Sequence, residues 1–96
     1  MIGPTSYRKY INMNLEILTP EGKAYSGEVS GVQLPGVTGS FEVLDNHAPM
    51  VSALKSGQVK VLVEKNNETF FEIQGGFVEV LNNSVTVMVE GSKPVE

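Results

Sequence analysis

Between residues 13 and 90 apolar side chains recur at every second position, and this period limits the chain's possible folds more than any other feature. Val59, Val61 and Val63 alternate with Lys60, Leu62 and Glu64, and Val85, Val87 and Val89 alternate with Thr86, Met88 and Glu90. Phe71 and Ile73 flank Glu72, Val78 and Val80 flank Glu79, Leu15 and Ile17 flank Glu16, and Val32 and Leu34 flank Gln33. Successive side chains of an extended chain point to opposite faces, so each run has one face to bury. β-branched residues dominate the runs, as suits a pleated, half-buried surface. Turn signals separate them: Pro20-Glu21-Gly22, Pro35-Gly36, Asp45-Asn46, Ser56-Gly57, Asn66-Asn67, Gly75-Gly76 and Asn82-Asn83. No window sustains apolar residues at helical spacing. The pattern predicts an all-β domain of about 8–10 short, mostly antiparallel strands, closed as a sandwich or a barrel.

A chain of 96 residues is enough for one such domain with a single thin core. Residues 1–12 carry neither period and are expected to form a flexible extension, with the folded domain at 13–90. Residues 91–96, with Pro94, are expected to be a loose tail. There is no internal repeat.

Charge and composition narrow the function classes. Within residues 13–90 four bases (Lys23, Lys55, Lys60, Lys65) face ten acids. A surface of that sign repels phosphate backbones, which argues against a nucleic-acid partner. No cysteine is present, so disulfides, thiolate catalysis and cysteine zinc sites are excluded. No apolar run approaches the roughly 20 residues of a membrane-spanning helix, and residues 1–12 lack the apolar stretch of a secretory signal. The expectation is a soluble, intracellular protein.

The residues that carry chemistry are sparse. His47 is the only histidine and sits two residues from Asp45, which raises the possibility of a small hydrolase built on this pair. No serine-nucleophile motif accompanies it, so a loop hydrogen bond or a contact surface is the simpler role. One histidine and scattered glutamates do not supply the ligands zinc requires. Gly36-Val37-Thr38-Gly39-Ser40 lacks the Gly-Lys-Ser/Thr ending of a phosphate loop and precedes a strand-like segment. Gly75-Gly76 joins two strand runs and fits a tight turn or a bulge. The reading is a non-enzymatic scaffold with no catalytic residue, no metal and no cofactor.

One feature exceeds what a core needs. The phase opposite the valines contains Leu18, Leu62, Phe70, Phe77, Leu81 and Met88. Large exposed apolar patches mark partner surfaces, and local packing under loops is the competing explanation. The first favours an interaction subunit. A free-standing recognition module for protein or sugar uses the same face and remains the alternative.

Four stretches in order also resemble a known family. They are LEILTPEGKAYSGEV from Leu15, GVQLPGVTGSFEVLDNHAP from Gly31, Met50-Val51-Ser52-Ala53-Leu54-Lys55-Ser56-Gly57, and FFEIQGGFVEVLNNSVTVMVE from Phe70. Across residues 14–90 the chain resembles the N-terminal domain of the ε subunit of F-type ATP synthases, with Asn46-His47-Ala48-Pro49 matching the family's His-Ala-Pro signature. The resemblance implies a flattened β-sandwich and a non-catalytic role in the central rotor. Such a subunit grips the γ subunit, meets the polar loops of the c-ring, and couples ring rotation to ATP synthesis in the rest of F1 during H+ transport. It implies a place at the cytoplasmic face of the bacterial inner membrane, peripheral and within the complex. His47, Ala48, Pro49 and Met50 are then expected at γ, together with Phe70, Phe77 and Met88, which the strand phase alone nominates. Val37, Thr38, Gly39 and Ser40 are expected at the c-ring. Family members commonly continue into a C-terminal helical hairpin that inhibits hydrolysis and in some cases binds ATP. With the sequence ending at Glu96, the expectation is a short form without it.

Overall fold

A computed structural model of the chain describes residues 13–64 and 67–95. The expectations for residues 1–12, and for the Asn66 half of one turn signal, lie outside the described residues. Eight strands follow in order: β1 (Met13–Thr19), β2 (Gly22–Val29), β3 (Gly31–Gly36), β4 (Gly39–Leu44), β5 (Met50–Glu64), β6 (Asn67–Leu81), β7 (Ser84–Val89) and β8 (Ser92–Val95). There is no helix among the described residues. The strands hydrogen-bond in the order β2-β1-β7-β6-β5-β3-β4, with β8 added to the free side of β6. Every pairing is antiparallel except β1 with β7.

The alternating residues become the core. Leu15, Ile17, Val32, Val59, Val61, Val78, Val85 and Val87 are all essentially inaccessible, and no polar or charged side chain is buried among the described residues. Two halves of the sheet share this one cluster. The first layer holds β2, β1, β7, the C-terminal half of β6 and the N-terminal half of β5; the second holds β4, β3, the remaining halves of β5 and β6, and β8. Tyr25 of β2 packs edge-on against Phe71 of β6, with ring centroids 5.7 Å apart, and joins the layers directly. Leu15→Ala, at a site with no exposure in a strand paired on both sides, is expected to cost about 2–5 kcal/mol. A urea titration at constant m-value measures it.

Two of the strands are not short. Ser56-Gly57 and Gly75-Gly76 read as turns in the sequence, yet both lie inside strands of 15 residues. β5 and β6 pair from Met50↔Val80 through Ser56↔Gln74 to Val59↔Phe71 without a slip in register. The buried phase nevertheless reverses: Phe71 and Ile73 are buried before the glycines, Val78 and Val80 after them. The hairpin therefore offers opposite faces to the core in its two halves, as it must when it passes from one layer to the other. Gly75 (φ 87°) and Gly76 (φ 144°) supply the backbone conformations for that passage.

The segment expected as a loose tail is also corrected. Ser92–Val95 forms β8, pairing Phe70↔Val95, Phe71↔Pro94, Glu72↔Lys93 and Ile73↔Ser92. Without it this half of β6 would present an open edge. Pro94, which donates no hydrogen bond, is tolerated because β8 is itself an edge strand.

Candidate functional site

The strand registers fix what lies side by side on the outer face of the first layer. Ala53 of β5 pairs with Phe77 of β6, Phe77 with Met88 of β7, and Met88 with Leu18 of β1. Four apolar residues thus form one row across four strands. Phe77 is 49% and Met88 44% exposed, while Leu18 and Ala53 are half-buried. Phase explains the row: with Val78, Val80, Val87 and Val89 turned inward, their neighbours must face out. Neighbouring strands lie about 4.8 Å apart, so the side chains of such a row touch one another and make a continuous apolar strip.

The next row is Val51, Glu79, Thr86 and Glu16. Val51, at 72%, is the most exposed large apolar side chain described. Glu16 is paired with Lys23 at 3.1 Å on the far side of the face. The strip is therefore apolar at its centre and charged at its border, the usual anatomy of a protein contact.

Both loops nominated from the sequence adjoin this face. At one end the Val37-Thr38 turn docks by a hydrogen bond from the Val37 N–H to the Ala53 carbonyl, 3.2 Å. Val37 is 56% exposed, and Thr38, Gly39 and Ser40 are exposed beside it. At the other end the loop before β5 carries His47, half-buried, and Ala48 and Pro49, exposed. Met50 opens β5 opposite Val80 and packs partly against the core. Ala53 lies three residue steps beyond Met50, about 10 Å along the strand. One edge of the first layer thus runs from the His47 loop past Val51 to the Val37 turn.

Phe70 is not part of this arrangement. It lies in the other half of β6, paired with Lys60 and Val95 on the outer face of the second layer. Because the phase reverses at Gly75-Gly76, Phe70 and Phe77 belong to different layers although both oppose the valine phase in sequence. Leu62 and Leu44 also sit on the second layer, meeting over Gly31. Val51 and Leu44 were not singled out by sequence reasoning. Val51 lies in the run Met50–Leu54, where the reversed phase decides which residue faces out.

Asp45 and His47 are engaged separately. The Asp45 carboxylate accepts from Asn83 Nδ2 at 2.7 Å, and His47 Nδ1 donates to the Ala48 carbonyl at 2.8 Å. Among the described residues no group of His, Asp or Glu is placed to hold a metal ion, and no helix is long and apolar enough to cross a membrane.

Residues 12–94 match the family described as the ATP synthase delta/epsilon chain β-sandwich domain. The chain belongs to this family. The ATP synthase epsilon chain of Chlorobium limicola is 42% identical over 76 residues, which cover 79% of this chain and 86% of that relative. The epsilon chain of Salinibacter ruber is 37% identical over 90 residues, covering 85% of this chain but only 60% of that relative. Delta/epsilon-family relatives of differing length therefore share this sandwich. Among solved structures, a chain from the Euglena gracilis mitochondrial ATP synthase (OSCP/F1/c-ring) superposes with a TM-score of 0.82 at 17% identity, over 98% of this chain and 68% of that one. A chain from the central stalk and c-ring of the Tetrahymena thermophila mitochondrial enzyme gives 0.73 at 20% identity, over 84% and 65%. At such identities the likeness concerns the fold, and the family rests on the sequence matches.

Proposed function

We propose that this chain is a non-catalytic central-stalk subunit of an H+-transporting ATP synthase that couples rotation of the c-ring to the γ subunit. The observation that carries this reading is the partly exposed apolar row Leu18–Met88–Phe77–Ala53 on a family member whose named relatives are epsilon chains. The row, with Val51 and the His47–Met50 segment, is the γ-gripping surface. The Val37–Ser40 turn meets the polar loops of the c-ring. Phe70, carried by the other layer, lies outside the γ contact. The chain performs no bond chemistry. It acts at the cytoplasmic face of the bacterial inner membrane, held there through the complex, in keeping with the bacterial relatives.

Torque transmission suits this architecture for a physical reason. A hydrogen-bonded sheet with a close-packed core yields little under load, and the continuous β5–β6 hairpin spans both layers. Mixed with purified γ at micromolar concentration, the chain is expected to co-elute on gel filtration in mild salt. Separate elution would contradict the reading.

A further inference from the structure

Asn83 joins two segments that are distant in sequence. Its Oδ1 accepts the Asn46 N–H at 2.8 Å, and its Nδ2 donates to Asp45 Oδ1 at 2.7 Å. Its own carbonyl accepts the Asn14 N–H at 2.9 Å, which anchors the residue to β1. Asn82 (φ 50°) and Asn83 (φ 61°) form the two-residue β6–β7 turn, a type I′ geometry that glycine satisfies equally well. The turn alone does not require asparagine at position 83. The loop does, because only a side chain with both a donor and an acceptor completes this pair of bonds.

The loop is otherwise lightly held. Residues 45–49 lie between β4 and β5, outside the ladders. Besides the Asn83 bonds, the hydrogen bonds described for it are local: His47 N–H to the Leu44 carbonyl at 3.1 Å, and His47 Nδ1 to the Ala48 carbonyl. Asn46, at φ 65°, directly precedes His47. Fixing Asn46 from outside therefore sets the path of His47, Ala48 and Pro49. A contact loop ordered beforehand loses less conformational freedom on binding.

We infer that Asn83 is a positioning residue: through Asp45 and Asn46 it holds the His47–Pro49 loop in its binding shape. The inference rests on the proposed γ role of that loop.

Asn83→Gly tests it, because glycine keeps the left-handed turn and the backbone bond to Asn14 while deleting both side-chain bonds. The variant should fold with an unchanged circular dichroism spectrum. Its Asn46 amide should exchange faster with deuterium, and γ affinity should fall roughly tenfold. Asn83→Asp, which sets two carboxylates against each other, should lose at least as much. Adding Asp45→Asn restores a donor facing an acceptor and should return affinity to within about threefold of wild type. Wild-type affinity in Asn83→Gly, or an Asp45→Asn/Asn83→Asp pair no better than Asn83→Asp alone, would overturn the inference. A wild-type chain that fails to bind γ would overturn the rotor reading, and this inference with it.

Discussion

Gly76→Ala is expected to destabilise the chain by at least about 4 kcal/mol, a large part of the total for a domain of this size. A Cβ at Gly76 would lie 2.0 Å from the Met88 carbonyl oxygen, 2.9 Å from Val89 Cα and 3.0 Å from the Met88 carbonyl carbon. All three are backbone atoms of the strand paired to it, so no side-chain rotation relieves the clash. The φ of 144° adds a conformational penalty. Gly22 separates the two effects: its φ is 127°, but nothing lies within 4 Å of its Cβ position. Gly22→Ala should therefore cost only about 1 kcal/mol from backbone strain. Urea titrations of the two variants give the comparison. Similar midpoints would mean that β6 and β7 do not approach as described, and the explanation of the reversed phase would fall with them.

That reversal reaches the candidate site, because Gly76 precedes Phe77. The second prediction concerns this row: Phe77→Asp and Met88→Asp, made separately because the two positions face each other across the strands and paired carboxylates would repel, should each fold with stability within about 1.5 kcal/mol of wild type and bind γ at least about tenfold more weakly. Both side chains are about half exposed, so the folded state loses mainly a cross-strand contact and some β-propensity. In a desolvated contact each aspartate removes an apolar anchor and buries a charge, effects of about 2 kcal/mol or more apiece. Calorimetric titration against γ, with thermal unfolding as the control, measures both quantities. Unfolding of either variant would assign that side chain to the core; unchanged affinity in both would remove the row from the interface. Phe70→Asp, on the other layer, should leave γ binding unaltered.

Much of the fold is legible in the sequence because period two is a local property. Leu15 and Ile17, Val59 and Val61, Phe71 and Ile73, Val78 and Val80, and Val85 and Val87 can all be read as inward pairs without knowing their neighbours, and all are buried. The continuity of β5 and β6 is not legible in that way. Gly57 and Gly75-Gly76 carry the composition of turns, and only the ladder between β5 and β6, with Gly57 opposite Ile73 and Gly76 opposite Leu54, keeps them in strands. The same non-local fact separates Phe70 from Phe77. β8 escapes notice because Lys93 and Pro94 lack any strand period, and its hydrogen bonds depend on an edge of β6 created elsewhere in the fold. The His47 loop and the Val37 turn are nominated by the family resemblance and not by their own chemistry. Their position on one border of the first layer follows only from register.

Methionine oxidation reports on the apolar row with little perturbation, since an exposed thioether reacts where a covered one is protected. The decisive measurement is radical footprinting of the free chain and of its complex with γ, read at Met88 and Phe77 against Phe70. The account predicts that Met88 and Phe77 become several-fold less reactive in the complex while Phe70 is unchanged. Equal reactivity of Met88 in both states, or protection confined to Phe70, would contradict it.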